Sequence, residues 1–137
     1  MRKEVYEKIR EKLLEIGENE IAHIDMWNRN VEFIEQETAW ARPAVFIEFE
    51  PVQWVSVVPG VQYRTEAKVR LHIVTDWNNE DPDVFDLPEK IHRELARLEG
   101  DSFTDFTLAE SHTNHNHEDM VESIEVYSFM TFLHVGK

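Results

Sequence analysis

Three histidines near the C-terminus are the residues of this sequence whose types and spacing are best suited to chemistry. His112, His115 and His117 lie in a polar run that ends with Glu118 and Asp119. In an extended segment His115 and His117 point to the same side. Imidazole and carboxylate groups together form a ligand set that divalent metals accept. A metal-dependent enzyme using these three histidines is therefore one hypothesis for the function.

A simpler interpretation of the same run is a solvent-exposed connection. Asn, His and Asp favour turns, and residues 112–119 lie between two segments with strand character. The sequence contains no glycine-rich phosphate loop, no nucleophile elbow and no His-Glu-x-x-His helix. We therefore predict a polar loop, no cofactor and no enzymatic activity. His23 and His72 alternate with apolar neighbours, and we expect both to be exposed strand positions or local hydrogen-bond partners.

Composition indicates a single soluble domain whose net negative charge would repel nucleic acid on average. A chain of 137 residues with 42% hydrophobic content can bury roughly two thirds of its unfolded surface. It has no cysteine, which excludes disulfides and favours a reducing cytoplasm. No apolar run approaches the roughly 18 residues of a membrane span. The formal charge of −14 argues against specific nucleic-acid binding, although an acidic DNA-mimic inhibitor remains a further alternative.

Two amphipathic helices are predicted from apolar stripes with helical spacing. The first covers residues 4–16 and stops at Gly17. The second begins near Asp86, which forms a potential capping box with Glu89, and Gly100 ends it. The residues expected to be buried in the two stripes are Val5, Ile9, Leu13, Ile16, Leu87, Ile91, Leu95 and Leu98.

The remaining apolar segments alternate with the period of β-strands. In the segment 64–75 one side is apolar and the other polar, whereas both sides of the segment 124–133 are apolar. Two helical stripes are too narrow to cover both faces of a sheet built from these strands. We therefore predict one α+β domain over residues 1–137, with an antiparallel-rich sheet and both helices on one face. The predicted strands are 20–27, 44–50, 64–75, 103–111 and 121–133.

Residues 52–61 predict a protruding β-hairpin or arm, because β-branched residues flank the turn signal Pro59-Gly60. Apolar surface here and on the last strand exceeds what two helices can cover, which suggests a subunit of an assembly. Trp54 is the expected anchor. The residues predicted to contact another subunit or partner are Val52, Trp54, Val55, Val57, Val58, Val61, Tyr127 and Phe129.

The order of the elements and several segments also carry a resemblance to a known family. They are the N-terminal helix, segments 20–28 and 42–49, the long alternating strand that ends at Thr75 and Asp76, the single later helix, and the closing strands. In this order they resemble the small tail-completion or tail-terminator proteins of long-tailed bacteriophages and prophages. The resemblance covers nearly the full chain.

The resemblance implies an α+β subunit that assembles into a ring, often of six copies, at the head-proximal end of the tail. Such a ring caps the tail tube and joins it to the head connector. The partners implied are further copies of the chain, the tail-tube protein and the head-connector protein. The implied location is the virion, after assembly in the cytoplasm of the bacterial host. This chain differs from the family in its strong acidity and its histidine-rich run.

Overall fold

The described residues form an α+β domain with two helices and six strands. A computed structural model describes residues 1–28, 41–77, 82–117 and 119–135. The described elements in chain order are α1 (Arg2–Ile16), β1 (His23–Met26), β2 (Ala44–Phe49), β3 (Val55–Val58), β4 (Gln62–Asp76), a 3-10 turn (Pro82–Phe85), α2 (Asp86–Leu95), β5 (Phe103–His117) and β6 (Met120–His134). No helix in these ranges combines the length and apolarity needed to cross a membrane.

The six strands form one sheet in the order β1-β2-β4-β6-β5, with β3 paired to the end of β4. Only the β1–β2 pair is parallel; the other described pairs are antiparallel. The central pair, β4 and β6, is matched over its whole length, from Gln62 opposite His134 to Asp76 opposite Met120. The prediction of an antiparallel-rich α+β sheet is therefore confirmed.

Both helices cover the same face of the sheet, as predicted. Side chains on a strand alternate between the two faces of the sheet. The face covered by the helices therefore contains every second residue of β4, together with the residues opposite them on β2 and β6. The core formed between the helices and this face contains Val5, Ile9, Leu13, Val45, Ile47, Ala67, Val69, Leu71, Ile73, Ile91, Leu95, Tyr127 and Phe129. We name the face covered by the helices the helix face and the opposite one the outer face.

The predicted end of α1 is confirmed, whereas the predicted capping and end of α2 are wrong. α1 ends before Gly17, whose φ of 106° suits a residue without a Cβ. The capping box predicted for α2 is wrong, because the N-cap position is Phe85 and no side chain caps the helix. α2 also ends at Leu95 rather than near Gly100, and Arg97 follows with a positive φ of 63°. Leu98 is nevertheless buried beyond the helix end.

The polar loop predicted at residues 112–119 is also wrong, because β5 continues to His117 and pairs with β6. Thr113 lies opposite Ser123, and Asn114 lies opposite Glu122. Polar side chains do not prevent this pairing, since the backbone supplies the ladder hydrogen bonds and β6 supplies a fixed partner. Register shifts interrupt the ladder at three places, and Asp105 has a positive φ of 60° within the first, as β-bulges allow.

The predicted hairpin at residues 52–61 is present. β3 and β4 are joined by a turn in which the Val61 amide donates to the Val58 carbonyl at 2.9 Å. Gly60 takes a φ of 72°, as the third residue of a type II turn requires. β6 runs alongside, and the Val135 amide donates to the Val61 carbonyl at 2.6 Å. The hairpin therefore lies at one end of the sheet, beside the end of β6.

Glu4 fastens α1 to the segment that leads into β5. Its carboxylate accepts hydrogen bonds from the Asp101 amide at 3.0 Å, the Ser102 amide at 2.8 Å and the Ser102 hydroxyl at 2.6 Å. Gly100 fits here because a Cβ would meet this carboxylate. These bonds, above all that from the Ser102 hydroxyl, hold the pKa of Glu4 below its ordinary value of 4.5 against the opposing effect of burial.

Substitution Glu4→Gln should destabilise the protein in a pH-dependent way. A depressed carboxyl pKa contributes stability above the unfolded value, and this stability is lost as the pH falls through the folded value. We expect a loss of about 1 kcal/mol at most at pH 7, because solvent screens this incompletely buried carboxylate, and a smaller loss at an acidic pH at which the Glu4 carboxyl is protonated in the folded protein. Urea denaturation at both pH values measures it, with Glu7→Gln on the exposed side of α1 as control. An equal loss at both pH values would contradict the assignment.

Leu95 tests the assignment of the core. Its side chain is 0% exposed beneath α2, so Leu95→Ala should lower the free energy of unfolding by about 2 to 5 kcal/mol. Chemical denaturation gives the value, and Leu14→Ala, at a position 50% exposed on α1, is the matched control. A loss at Leu95 no larger than that at Leu14 would mean that α2 does not bury this side chain.

Candidate functional site

The end of the sheet formed by β3, β4 and β6 carries an exposed apolar surface. Its large side chains are between 39% and 60% exposed. Register places Val55 beside Arg64 and Arg64 beside Phe132, so these three form one row across adjacent strands on the outer face. We name as the end patch the residues Val55, Val57, Val58, Phe132, Leu133 and Val135. Because side chains alternate along a strand, Leu133, opposite Tyr63, stands on the other face from Phe132, so the end patch includes both faces of this end of the sheet.

The end patch lacks negative charge in a chain that is otherwise strongly acidic. The chain has 28 Asp and Glu residues among 137, yet none lies in residues 51–65 or 126–135. These two segments supply the whole of β3, the first part of β4 and the last part of β6. Arg64 is the one Lys or Arg residue in them. Surfaces that bind protein partners are depleted of acidic side chains and Lys at their centres, and the end patch has this composition.

The other residues of the predicted interface lie deeper. Val52 is half-buried and packs against the core, and Trp54 and Val61 are half-buried. Tyr127 and Phe129 are each 1% exposed, because they stand on the face of β6 that the helices cover. These two side chains offer no surface to a partner in this fold. Within the predicted set, Val55, Val57 and Val58 are the exposed members.

The histidine-rich run is spread along β5. His112 is exposed, 3.6 Å from Glu110 between Nε2 and Oε2, and His115 makes an edge contact with Trp77 at 5.3 Å between ring centroids. The side chain of His117 lies outside the described residues. Within the described ranges, no three or more His, Asp or Glu side chains are placed to hold a metal ion.

A different histidine stands at the centre of a polar cluster on the outer face. His72 Nε2 lies 2.8 Å from Glu48 Oε1, and its Nδ1 lies 2.8 Å from Glu122 Oε2. The amide of Asn114 donates to the other oxygen of Glu122 at 3.0 Å. Trp27 stacks on the imidazole with ring centroids 3.6 Å apart and planes 12° from parallel. The cluster therefore joins β2, β4, β6 and β5 and is capped by an indole.

Of the two expectations for His72, an exposed position is wrong, since the residue is only 4% exposed, whereas a hydrogen-bond partner is confirmed. The alternation of β4 does place it on the outer face, but Trp27 covers it there. Trp27 is brought close because β1 pairs with β2, where its amide donates to the Ile47 carbonyl at 2.9 Å. No signal in β4 itself indicates this cover. The sequence could have suggested it only through the pairing of two distant segments.

In the observed geometry this cluster has a structural role. A carboxylate oxygen faces each ring nitrogen of His72, so whichever ring nitrogen carries the N–H can donate to a glutamate. Charge-assisted hydrogen bonds of this kind are stronger than neutral ones. Both nitrogens of His72 are occupied and one ring face is covered by Trp27. Neither nitrogen is available to a metal or substrate, and the cluster fastens the four strands together.

Loss of the imidazole should therefore be costly. His72→Leu would leave Glu48 and Glu122 without their shared partner in a mostly buried setting, and we expect a loss of about 1 to 3 kcal/mol in the free energy of unfolding. Trp27 fluorescence should change as well, because the stacked ring is removed. The control is His112→Leu, which lies in the same register row, beyond Ile124, but is exposed. Equal losses in the two variants would contradict the role of His72.

Comparison with known proteins adds no relative. The chain matches no protein-family model and no curated protein. Its own geometry and charge distribution therefore carry the argument about function. Of the features above, the end patch is the exposed one, and the His72 cluster is enclosed.

Proposed function

We propose that this chain is a structural subunit of a phage or prophage tail, and that copies of it associate through the end patch into a ring. The ring would cap the tail tube and join it to the head connector. The observation that carries the proposal is a set of exposed apolar side chains on β3 and at the end of β6, which flank β4, with no acidic side chain among them. The resemblance in the order of elements supplies the kind of assembly, and the end patch supplies the means of association.

The backbone of β3 supports the same proposal. Among the described strands β3 pairs only with β4, so the N–H and C=O groups of its other edge form no ladder with another described strand. An edge of this kind can receive a strand from another chain. All four residues of β3 are exposed. A neighbouring copy that docks here would gain backbone hydrogen bonds together with burial of Val55 and Val57.

The net charge of the chain favours some contact surfaces between copies over others. Each copy carries a formal charge of −14, so association increases electrostatic repulsion. Contact through a surface without acidic residues keeps the charges of two copies farther apart than contact elsewhere. Salt should strengthen the association, because raising the ionic strength from about 0.05 M to about 0.3 M shortens the Debye length from about 14 Å to about 6 Å.

The association can be tested by removing two side chains of the end patch. Val57→Ser together with Phe132→Ser should shift sedimentation toward the monomer and weaken self-association at least about tenfold, since each side chain contributes about 1 kcal/mol or more of burial. Analytical ultracentrifugation across concentration, at low and moderate salt, measures the effect. A complementation assay for joined tails then tests the role in assembly.

The matched control replaces two exposed apolar residues outside the end patch, Leu14→Ser with Met26→Ser; these residues are 50% and 44% exposed. We expect this double variant to associate and complement like the parent. Equal behaviour of the two double variants would refute the end patch as the interface. A parent protein that stays monomeric at all concentrations and binds a basic protein would favour the DNA-mimic alternative. Stoichiometric bound metal, lost with His112, His115 and His117, would favour the metal-enzyme alternative.

A further inference from the structure

A cavity of about 650 Å³ lies between α2 and the β5–β6 hairpin, on the helix face and away from the end patch. Its volume is within the range of small-ligand sites. Phe85, Pro88 and Leu108 provide an apolar part of the wall, and Ser111 and Glu125 provide a polar part. The remaining lining residues are Glu89, His92, Arg93, Thr113 and Ser123. The cavity therefore combines an apolar wall with a carboxylate.

Glu125 is the unusual member of this lining. It is only 8% exposed, and the hydroxyl of Ser111 donates a hydrogen bond to its Oε2. In the described part of the chain, no Lys, Arg or His nitrogen forms an ion pair with it within 4 Å. Buried carboxylates are normally paired with a cation, because removing an isolated charge from water is costly. Glu125 thus faces the cavity without a cationic partner among the residues that the structure describes.

The basic and aromatic groups nearby are engaged elsewhere. Arg93 Nε donates to the Glu89 carbonyl of its own helix at 3.5 Å. His92 Nδ1 lies 3.5 Å from the Tyr127 hydroxyl. Burial raises the pKa of Tyr127, and the negative charge of Glu125 raises it further, so the phenol remains neutral and can act only as a hydrogen-bonding group. Among the described residues, none provides a cation within ion-pair distance of Glu125.

We propose that this cavity binds a primary ammonium group on a short aliphatic stem, with the ammonium on Glu125 and the stem against Phe85, Pro88 and Leu108. Three N–H donors of an ammonium can share the carboxylate and neighbouring hydroxyl oxygens such as those of Ser111 and Ser123. The excess of acidic residues in the chain also favours a cation over an anion. The same chemistry is present in a free alkylamine and in the lysine side chain of a protein.

The test is a titration followed by two-dimensional ¹H–¹⁵N NMR of the intact protein. n-Pentylamine should shift amides of residues 85–93 and 108–125 in a saturable way, with a Kd of the order of 1 mM. 1-Pentanol has the same stem without the charge and should bind at least about tenfold more weakly. Nα-acetyl-lysine N-methylamide is the third probe. Tighter binding of this probe than of pentylamine indicates a protein side chain, and the reverse indicates a free amine.

Glu125→Gln is the decisive variant because it keeps the shape and removes the charge. It should weaken pentylamine binding about tenfold or more, whereas Glu110→Gln, an exposed position of β5 facing away from the cavity, should leave it unchanged. The proposal is overturned if pentanol binds as well as pentylamine, if Glu125→Gln has no effect, or if the shifts are scattered over the surface without saturation. Should Glu125→Gln fail to fold, the comparison of pentylamine with pentanol on the parent protein decides.

Discussion

The pairing of β4 with β6 is the constraint on which the rest of the structure depends. These two strands are matched over fifteen residues each, and every other described strand joins one of them directly or through β2. Side chains alternate between faces, so a slip of one residue would exchange the two faces completely. Leu71 would then leave the core and His72 would meet the helices. The register thus determines both where α1 and α2 pack and which residues form the outer face.

Both faces bury apolar side chains, the outer face in a small cluster of Ala44, Phe46, Val74 and Met120 against Trp27, but the two faces differ in their polar contacts. On the helix face, aliphatic side chains and the rings of Tyr127 and Phe129 are buried against the helices, and this burial provides most of the driving force for folding. On the outer face, His72, Glu48 and Glu122 form directional contacts across the strands under Trp27. A hydrogen bond between buried groups adds modest stability, whereas removing one of its partners leaves the other unsatisfied and is costly. The outer face can therefore be fixed without a second layer of helices.

Most of the architecture could be predicted because alternation and helical spacing are local properties. The alternating residues of β4 identified its buried side, and the stripe containing Ile91 and Leu95 identified the core side of α2. Features that depend on distant partners could not be predicted. His72 is buried only because β1 brings Trp27 over it, and the polar residues of β5 pair only because β6 presents a ladder. The sequence does not show whether Tyr127 and Phe129 lie on the helix face or on the outer face, since both sides of their strand are apolar.

The residues of the candidate site also divide into those with a local signal in the sequence and those that depend on distant partners. The hairpin around Pro59 and Gly60 has a local signal, and its exposed valines were predicted as contact residues. The partner half of the end patch, Phe132 and Leu133, emerged only when the register placed the end of β6 beside β3 and β4. Likewise, Glu125 gains its significance only from where α2 lies over the β5–β6 hairpin.

The central claim, that copies associate through the end patch, is tested most directly by hydrogen–deuterium exchange at a series of protein concentrations. Amides of residues 55–58 and 131–135 should exchange more slowly as concentration rises, while those of β1 and the outer edge of β5 should not change, because association protects only the amides it buries or pairs. Protection that increases at β1 or β5 instead, or association that leaves the end patch amides unaffected, would contradict the account.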